Sequence, residues 1–388
     1  MKRIVLGLTG SFGSGCTYTA KEFIVPRGYE YISLAESLRK SYEDDHDGQK
    51  CNLSRQELQE YGTKVREEKG SDYLAKKVIE IIEASDKEKW IIDSIRNPNE
   101  VIALRNKYGK FLLFALRAEF DVRWKRVEGK YENDPRGFKL DDKRDSDEKL
   151  SHGQRVRDCY EIADIIISND INCHKGNADY SLLERKVFES IELIQGDRKF
   201  VPKEQEALMA IAYATSIRSS CLQRKVGAVI VDDKGNVFSS GYNEVPTDQR
   251  PCKAEYNQCY RKFLKSEFSK TMNEIIQNDK IEERVNRAFQ EKFKILDYCR
   301  ALHAEENAII NLARFGSADV IKGATLYTTT YPCNLCANKI VQIGISNIVY
   351  MEPYPMEEAK KVLTSNNVKQ VPFEGIAFNG YFKFKEEG

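Results

Sequence analysis

Four residues near the C-terminal end of the sequence have the types and spacing needed for metal-assisted hydrolysis. His303 is followed two positions later by Glu305, and Cys333 and Cys336 come about thirty residues further on. One imidazole and two thiolates supply three strong ligands to a tetrahedral Zn²⁺ and leave its fourth position to water. Bound zinc lowers the pKa of that water from about 15.7 to about 7, so hydroxide is available at neutral pH.

The presence of Glu305 favours a catalytic zinc site over a structural one. Its carboxylate can lie beside the water, take a proton from it and pass that proton to a substrate. A structural zinc site closes with four protein ligands and needs no such carboxylate. The alternative, a structural zinc knot or unrelated cysteines, is less favoured by the joint pattern.

The surrounding sequence predicts the elements that hold these residues. Residues 303–314 have the apolar spacing of a helix, and 324–330 have the composition of a β-strand. Cys333 and Cys336 are one helical turn apart, and Pro332 suits the first turn of a second helix. We therefore expect two helix N-termini to meet over one metal ion.

Composition limits the class of protein. The 388 residues suggest two or three domains, and 61 basic against 60 acidic residues show no excess charge that would favour a nucleic-acid partner over a small substrate. The sequence contains no apolar run long enough to cross a bilayer, and Met1-Lys2-Arg3 leads into a short strand rather than a signal peptide. A cytoplasmic protein is expected, in which the ten cysteines are thiols or metal ligands.

The first half begins with a strand, a glycine-rich loop and a helix, an arrangement that cradles phosphate through backbone N–H groups. A cysteine stands where the lysine of this motif is usual, so phosphate binding is favoured over phosphoryl transfer. The threonine hydroxyl and an aspartate that ends a later strand could hold Mg²⁺, although a ligand-free turn and a helix cap are the plain alternatives. The candidate residues are Gly10, Gly13, Gly15, Cys16, Thr17 and Asp93.

Strands and helices alternate through the first half, which predicts an α/β fold with a parallel sheet covered on both faces. On the glycine-rich loop and on residues 93–98, this half resembles the P-loop nucleotide-kinase-like superfamily. The charged segment 117–157 either closes over phosphates, as such a stretch does in that superfamily, or is a solvated face, and the second is favoured. We predict a first domain at 1–195 and a linker at 196–203.

The second half, 204–388, is predicted as one domain with a charged helical insertion at about 253–298. Its sequence resembles the deoxycytidylate deaminase branch of the cytidine deaminase superfamily, which carries the zinc deaminase signature H-x-E…P-C-x-x-C. The match rests on five segments: 218–221, 226–231, 241–243, 303–305 and 332–336. The resemblance implies a C-terminal α/β/α cytidine-deaminase-like domain. A kinase-like domain fused to it resembles the bacterial anti-phage deoxycytidine-nucleotide (dCTP) deaminases.

That resemblance also implies residue roles. His303, Cys333 and Cys336 would hold zinc, and Glu305 would move protons. Asn243 would bind the deoxyribose, and Val226, Gly227 and Ala228 would form a wall along the base. Tyr331 would stack on the nucleotide or hydrogen-bond to it, and Arg218 and Ser219 are weaker candidates for binding the phosphate. The family further suggests a homo-oligomer and control by an RNA or a nucleotide effector.

A second set of cysteines remains once these ligands are assigned. Cys221, Cys252, Cys259 and Cys299 could close a structural zinc site that anchors the insertion, or they could be buried thiols without a ligand. The second zinc is slightly favoured.

The function expected from these observations is hydrolytic deamination of dCTP or dCMP to the uracil nucleotides. This reaction would deplete the precursor pool of an infecting phage. The alternatives are a nucleotide kinase or a nucleotide sensor with a zinc-stabilised appendage, and a polynucleotide deaminase acting on cytidine or adenosine.

Overall fold

The computed structural model describes residues 3–146, 153–170, 178–275, 281, 284–285, 298–314, 321, 323–351 and 356–385. These residues form a mixed α/β structure with two sheets. The chain divides into two compact units. One comprises Met1–Glu206, Met351–Tyr354 and Pro372–Gly388, and the other comprises Ala207–Tyr350 and Pro355–Val371.

The strands lie, in chain order, at β1 Ile4–Gly10, β2 Glu30–Ser33, β3 Lys89–Ile95, β4 Phe111–Arg117, β5 Ile165–Ser168, β6 Gly227–Val231, β7 Val237–Tyr242, β8 Thr325–Thr328, β9 Asn347–Tyr350, β10 Lys369–Pro372 and β11 Gly375–Ile376.

The α-helices lie at α1 Cys16–Thr19, α2 Leu34–Asp45, α3 Arg55–Lys69, α4 Tyr73–Glu83, α5 Pro98–Lys107, α6 Phe120–Val127, α7 Pro135–Ser146, α8 Val156–Glu161, α9 Ala178–Gln195, α10 Glu204–Ser216, α11 Cys252–Tyr256, α12 Tyr260–Ile275, α13 Ala304–Arg314, α14 Asn334–Ile343, α15 Glu357–Ser365 and α16 Phe378–Lys385. None of the helices that the structure describes has both the length and the apolar character needed to cross a membrane.

The sheet of the first unit has the order β11-β5-β4-β1-β3-β2. Strands β1 to β5 run parallel to one another, as the alternation of strands and helices predicted. Every residue of β4 is buried, which is typical of a strand covered on both faces. The glycine-rich loop follows β1, in the middle of the sheet, at the edge where parallel strands end.

The C-terminal segment belongs to this first unit. Strand β11 pairs with β5 in antiparallel register, with Gly375 opposite Ile166. Phe373 and Phe384 are buried, and the Lys383 ammonium lies 3.0 Å from the Asp164 carboxylate. The predicted second domain extended to residue 388. The structure instead groups Pro372–Gly388 with the first unit, because these contacts complete the edge of its sheet.

The sheet of the second unit has the order β10-β9-β8-β6-β7. Strand β6 is antiparallel to β7 and β8, and β9 is parallel to β8. Apolar side chains of α13, among them Ala304, Ala308 and Leu312, share one core with residues of β6 and β8. The strand predicted at 324–330 is present as β8, which is shorter than predicted.

The predicted start of the second ligand helix and the predicted helical insertion each need a comment. Helix α14 starts at Asn334 with Cys333 as its N-cap, so Pro332 precedes the helix instead of occupying its first turn. Helices α11 and α12 occupy the first part of the predicted insertion. Residues 286–297 of the predicted helical insertion lie outside the described residues.

Candidate active site

Three predicted metal ligands of the second unit lie together. The ligand atoms of His303, Cys333 and Cys336 are all within 4.8 Å of one another. His303 Nδ1 is 3.3 Å from Cys333 Sγ and 3.4 Å from Cys336 Sγ. Tetrahedral zinc with ordinary Zn–N and Zn–S bonds requires an N···S separation of about 3.6 Å. The donor set and its spacing therefore fit a zinc ion with only small movements.

Two helix starts create this arrangement. His303 directly precedes α13, and its carbonyl accepts the helical hydrogen bond from Asn307 N at 2.9 Å. Cys333 is the N-cap of α14, and its carbonyl accepts from Ala337 N at 2.8 Å. Cys336 lies in the first turn of the same helix and is buried. Because helix N-termini carry partial positive charge, both starts favour thiolate over thiol.

Mutual hydrogen bonding already polarises these groups. Hydrogen bonds with Cys336 and, after it, His303 lower the pKa of Cys333 to about 4 despite its burial. Hydrogen bonds with Cys299 and Cys333 raise the pKa of His303 to about 10. The hydrogen bond with Cys333, together with burial, raises the pKa of Cys336.

Glu305 lies beside these ligands. It is the second residue of α13 and is 3% exposed. Burial raises the pKa of its carboxyl group, whereas the charge of His303 and a hydrogen bond with Cys336 oppose that effect. The Thr328 hydroxyl donates a hydrogen bond to Glu305 Oε1 at 3.3 Å. The carboxylate therefore lies close to the three metal-ligand atoms without being one of them.

Close packing fixes α13 against β7. Asn307 Nδ2 donates to Tyr242 O at 2.8 Å, Asn311 Nδ2 donates to Ser240 O at 2.9 Å, and Ser239 Oγ donates to Ala308 O at 2.6 Å. Gly241 is required where the two elements meet, because a Cβ there would lie 2.3 Å from both Ala304 O and Ala308 N. The helix that carries Glu305 is thus held at backbone contact distance.

Asn243, predicted to bind deoxyribose, organises the loop before β6. Its Oδ1 accepts from Val226 N at 2.7 Å, and its Nδ2 donates to Arg224 O at 2.9 Å. The Ser219 hydroxyl is buried and donates to Asn243 O at 2.6 Å, which fixes the main chain at Asn243. An amide carries two donors and two acceptor sites, so Asn243 keeps capacity for one further partner on each side.

The remaining predicted substrate residues have different surroundings. Gly227 and Ala228 are buried in β6, and a Cβ on Gly227 would lie 1.8 Å from Ala212 O. Arg218 lies over the Tyr242 ring, 4.6 Å from its centroid. Tyr331 is 6% exposed, and its hydroxyl donates to Gln370 while its ring packs edge-on against Tyr350. The structure places Tyr331 in the core of the unit.

The second set of cysteines gathers at one place. Cys221, Cys252, Cys259 and Cys299 line a common cavity of about 30 Å³, together with two arginines. Among the residues that the structure describes, His303, Cys333 and Cys336 are the one group of possible metal ligands whose atoms all lie within 4.8 Å of one another. No three of the four sulfurs in the second set lie that close together. The cysteines are therefore neighbours but lie farther apart than the three ligands described above.

The glycine-rich loop of the first unit opens onto a separate cavity of about 540 Å³. Thr17 Oγ1 donates to Asp93 Oδ2 at 2.6 Å, which brings together the two groups predicted to hold Mg²⁺. Burial raises the pKa of the Cys16 thiol to about 12, so this side chain is neutral at physiological pH. The cavity wall also contains cationic side chains, namely Arg96, Lys125, Arg126 and Lys130.

Two arginines of the charged segment 117–157 brace this loop. Arg123 donates to Phe12 O at 3.2 Å, and Arg126 donates to Gly13 O at 3.0 Å. Arg123 is buried and also pairs with Asp142. These two side chains do not belong to a solvated face, which was the favoured interpretation of the segment. Sequence reasoning missed this contact because charge density alone does not show which arginines turn inward.

Sequence reasoning also missed Thr328. Its signal was available, since a threonine occupies an inward position of a strand whose alternate residues, Leu326 among them, are apolar. Nothing in the sequence identified the partner as Glu305.

The geometry defines a class, a deaminase-type zinc centre with three protein donors and a neighbouring carboxylate. A family model described as the cytidine and deoxycytidylate deaminase zinc-binding region matches residues 202–352. The deoxycytidylate deaminase of Enterobacteria phage T2 is 36% identical over 157 residues, which cover 38% of this chain and 79% of that protein. The chain belongs to the deoxycytidylate deaminase family.

Two further similarities extend the comparison. The deoxycytidylate deaminase of Schizosaccharomyces pombe is 31% identical over 197 residues, which span 50% of this chain and 49% of that protein. The crystal structure of the dCMP deaminase from cyanophage S-TIM5 in complex with dCMP and dUMP aligns with 24% identity and a TM-score of 0.31. That alignment covers 45% of this chain and 99% of that one.

Proposed function

We propose that this protein is a zinc-dependent hydrolase that converts deoxycytidine nucleotides, dCMP or dCTP, to the deoxyuridine nucleotides and ammonia. The observation that carries the proposal is the buried Glu305 carboxylate beside three donors spaced for tetrahedral zinc. The family match to deoxycytidylate deaminases supports the choice of substrate.

In this proposal His303, Cys333 and Cys336 hold the zinc ion, which when bound supplies a water molecule of lowered pKa. Glu305 accepts a proton from that water, delivers it to the pyrimidine ring nitrogen and then assists departure of the amino group as ammonia. Burial raises the pKa of its carboxyl group, which suits a group that must both accept and donate a proton.

Binding of the nucleotide is assigned to the loop and strand beside the donors. Gly227 and Ala228 would form the wall along the base, and Val226 would continue it. Asn243 would use its remaining hydrogen-bonding capacity for the deoxyribose, with Ser219 fixing its main chain. Arg218 would contact the phosphate, whereas Tyr331 would act from the core by supporting the turn before Pro332.

The experiment is incubation of the purified protein with dCMP and with dCTP, followed by measurement of ammonia and of uracil nucleotides. Glu305→Gln should retain zinc and lose turnover, because the amide cannot carry the proton. The wild-type protein should release one ammonia for each uracil nucleotide formed. Turnover that survives in Glu305→Gln would refute the assigned role, and a wild-type protein that releases no ammonia from either nucleotide would refute the function.

We infer a separate role for the first unit, as a P-loop-like domain that binds a nucleotide with Mg²⁺ without transferring its phosphate. The contact between Thr17 and Asp93 supports a cation site, and the cationic cavity wall suits phosphate groups. The neutral Cys16 thiol cannot replace the missing lysine charge, which disfavours kinase turnover. Calorimetric titration with MgATP should show binding that Thr17→Val weakens, while a nucleoside monophosphate should not be phosphorylated.

We also propose that Cys221, Cys252, Cys259 and Cys299 hold a second, structural zinc. Their shared cavity supports this interpretation, although the sulfurs would have to move closer together. Metal analysis should give two zinc ions per chain, falling to one in Cys252→Ser. A content of one zinc in the wild-type protein would show that these are unligated thiols.

The biological role that we propose is depletion of the deoxycytidine nucleotide pool during phage infection, by a cytoplasmic homo-oligomer under the control of an RNA or a nucleotide. The pairing of a deaminase with a unit that has its own glycine-rich loop supports this role. Phage plating on cells that express the wild-type protein should fall relative to cells that express Glu305→Gln. Equal plating would remove the proposed role while leaving the enzymatic activity intact.

A further inference from the structure

Thr328 ends strand β8 and is completely buried. Its hydroxyl donates to Glu305 Oε1 at 3.3 Å, and the Glu305 side chain is itself buried. A buried hydroxyl without a partner is unfavourable, and a valine of the same shape would fill this position without that requirement. The polar residue is therefore tied to the carboxylate that it contacts.

The strand register shows why this side chain faces α13. Gly241 lies opposite Ala228, Ala228 lies opposite Thr328, and Thr328 is aligned with Tyr350. These four residues form one row across β7, β6, β8 and β9. The Gly241 position faces the backbone of α13 at Ala304. The small residues at the start of the row let the helix approach closely, and the Thr328 hydroxyl is directed at Glu305, the second residue of that helix.

The hydrogen bond divides the two oxygens of the carboxylate. Oε1 accepts from Thr328, and Oε2 takes no part in this hydrogen bond. A hydroxyl can keep donating to Oε1 whether or not Oε2 carries a proton, because Oε1 remains an acceptor in both states. The contact therefore fixes the orientation of the carboxylate.

We propose that Thr328 is a positioning residue for the proton transfer, acting through Glu305 and not on the substrate. The inference rests on the proposed deaminase function. It assigns Thr328 neither to the metal nor to nucleotide binding, so it predicts a loss in kcat without a change in KM or in zinc content.

The test compares Thr328→Val, which keeps the shape and removes the hydroxyl, with Thr328→Ser, which keeps the hydroxyl. For each variant and the wild-type protein, kcat and KM for dCMP and dCTP are measured, together with zinc content and thermal unfolding. The valine variant should lose roughly 10- to 100-fold in kcat, the range found when a hydrogen-bond partner behind the ligands of a metal site is removed. Its KM and its zinc content should equal those of the wild-type protein, and the serine variant should keep most of the wild-type kcat.

Three results would overturn the inference: a valine variant with wild-type kcat, a valine variant that has lost zinc, or a serine variant as impaired as the valine variant. The last would show that the methyl group and packing matter and the hydroxyl does not. If the wild-type protein itself released no ammonia, the proposed function would fail first, which is a different outcome from normal turnover in Thr328→Val.

Discussion

Substitution of Gly241 by alanine tests the claim that activity depends on the close approach of α13 to β7. The added Cβ would lie 2.3 Å from Ala304 O, 2.3 Å from Ala308 N and 2.8 Å from Asn307 C. All three are backbone atoms, so no side chain can rotate away. Ordinary contact begins at 3.4 Å, and the helix must therefore move outward by about 1.1 Å.

A displacement of this size acts directly on the site, since Glu305 is the second residue of α13 and His303 directly precedes the helix. Misplacement of a catalytic group by about 1 Å can lower the rate about 100-fold. Extra atoms forced into a packed core also lower the free energy of unfolding, typically by about 1–3 kcal/mol. We expect Gly241→Ala to fold with reduced stability and to lose about two orders of magnitude in kcat.

The assay is ammonia release under saturating dCMP, with chemical denaturation of the same preparation. Gly109→Ala is the matched control, because nothing lies within 4 Å of a Cβ at that position, and it should leave both quantities unchanged. A folded Gly241→Ala protein with wild-type kcat would refute the claim that the position of α13 limits the reaction.

Two further predictions concern the first unit. The Glu100 carboxylate is fully buried and accepts from Arg66 at 2.9 Å and 3.0 Å, so Glu100→Ala leaves a buried guanidinium unpaired and should cost about 3–5 kcal/mol in chemical denaturation. The exposed Glu80→Ala is its control, and equal losses would show that the buried pair contributes nothing special. Burial lowers the pKa of Lys383 below 10.5, so the unfolded chain binds more protons just below that pH and stability should rise with pH there. Lys383→Met should remove that rise, and a rise of equal size in both proteins would assign it to another group.

The local features of both units could be predicted from the sequence because they depend on short-range patterns. The alternation of strands and helices identified the parallel sheet of the first half, and the spacing of Cys333 and Cys336 identified metal ligands on one helical turn. The joint occurrence of these cysteines with His303 and Glu305 was specific enough to predict which side chains the fold brings together.

The features that sequence reasoning missed all depend on distant pairing. Strand β11 is only two residues long, and its pairing with β5 joins positions about two hundred residues apart. Arg123 and Arg126 contact loop carbonyls more than a hundred residues away, so their charge pattern could not distinguish a brace from a solvated face. The direction of Thr328 required the register of four strands, which no short-range pattern specifies.

The most direct test of the account is the coordination of the zinc ion, determined by crystallography at the zinc absorption edge. The account predicts zinc bound by His303, Cys333 and Cys336, with the fourth position open to water and the Glu305 carboxylate next to it but not bound to the metal. Zinc enclosed by a fourth protein ligand such as Cys299, or a Glu305 side chain directed away from the ion, would contradict it.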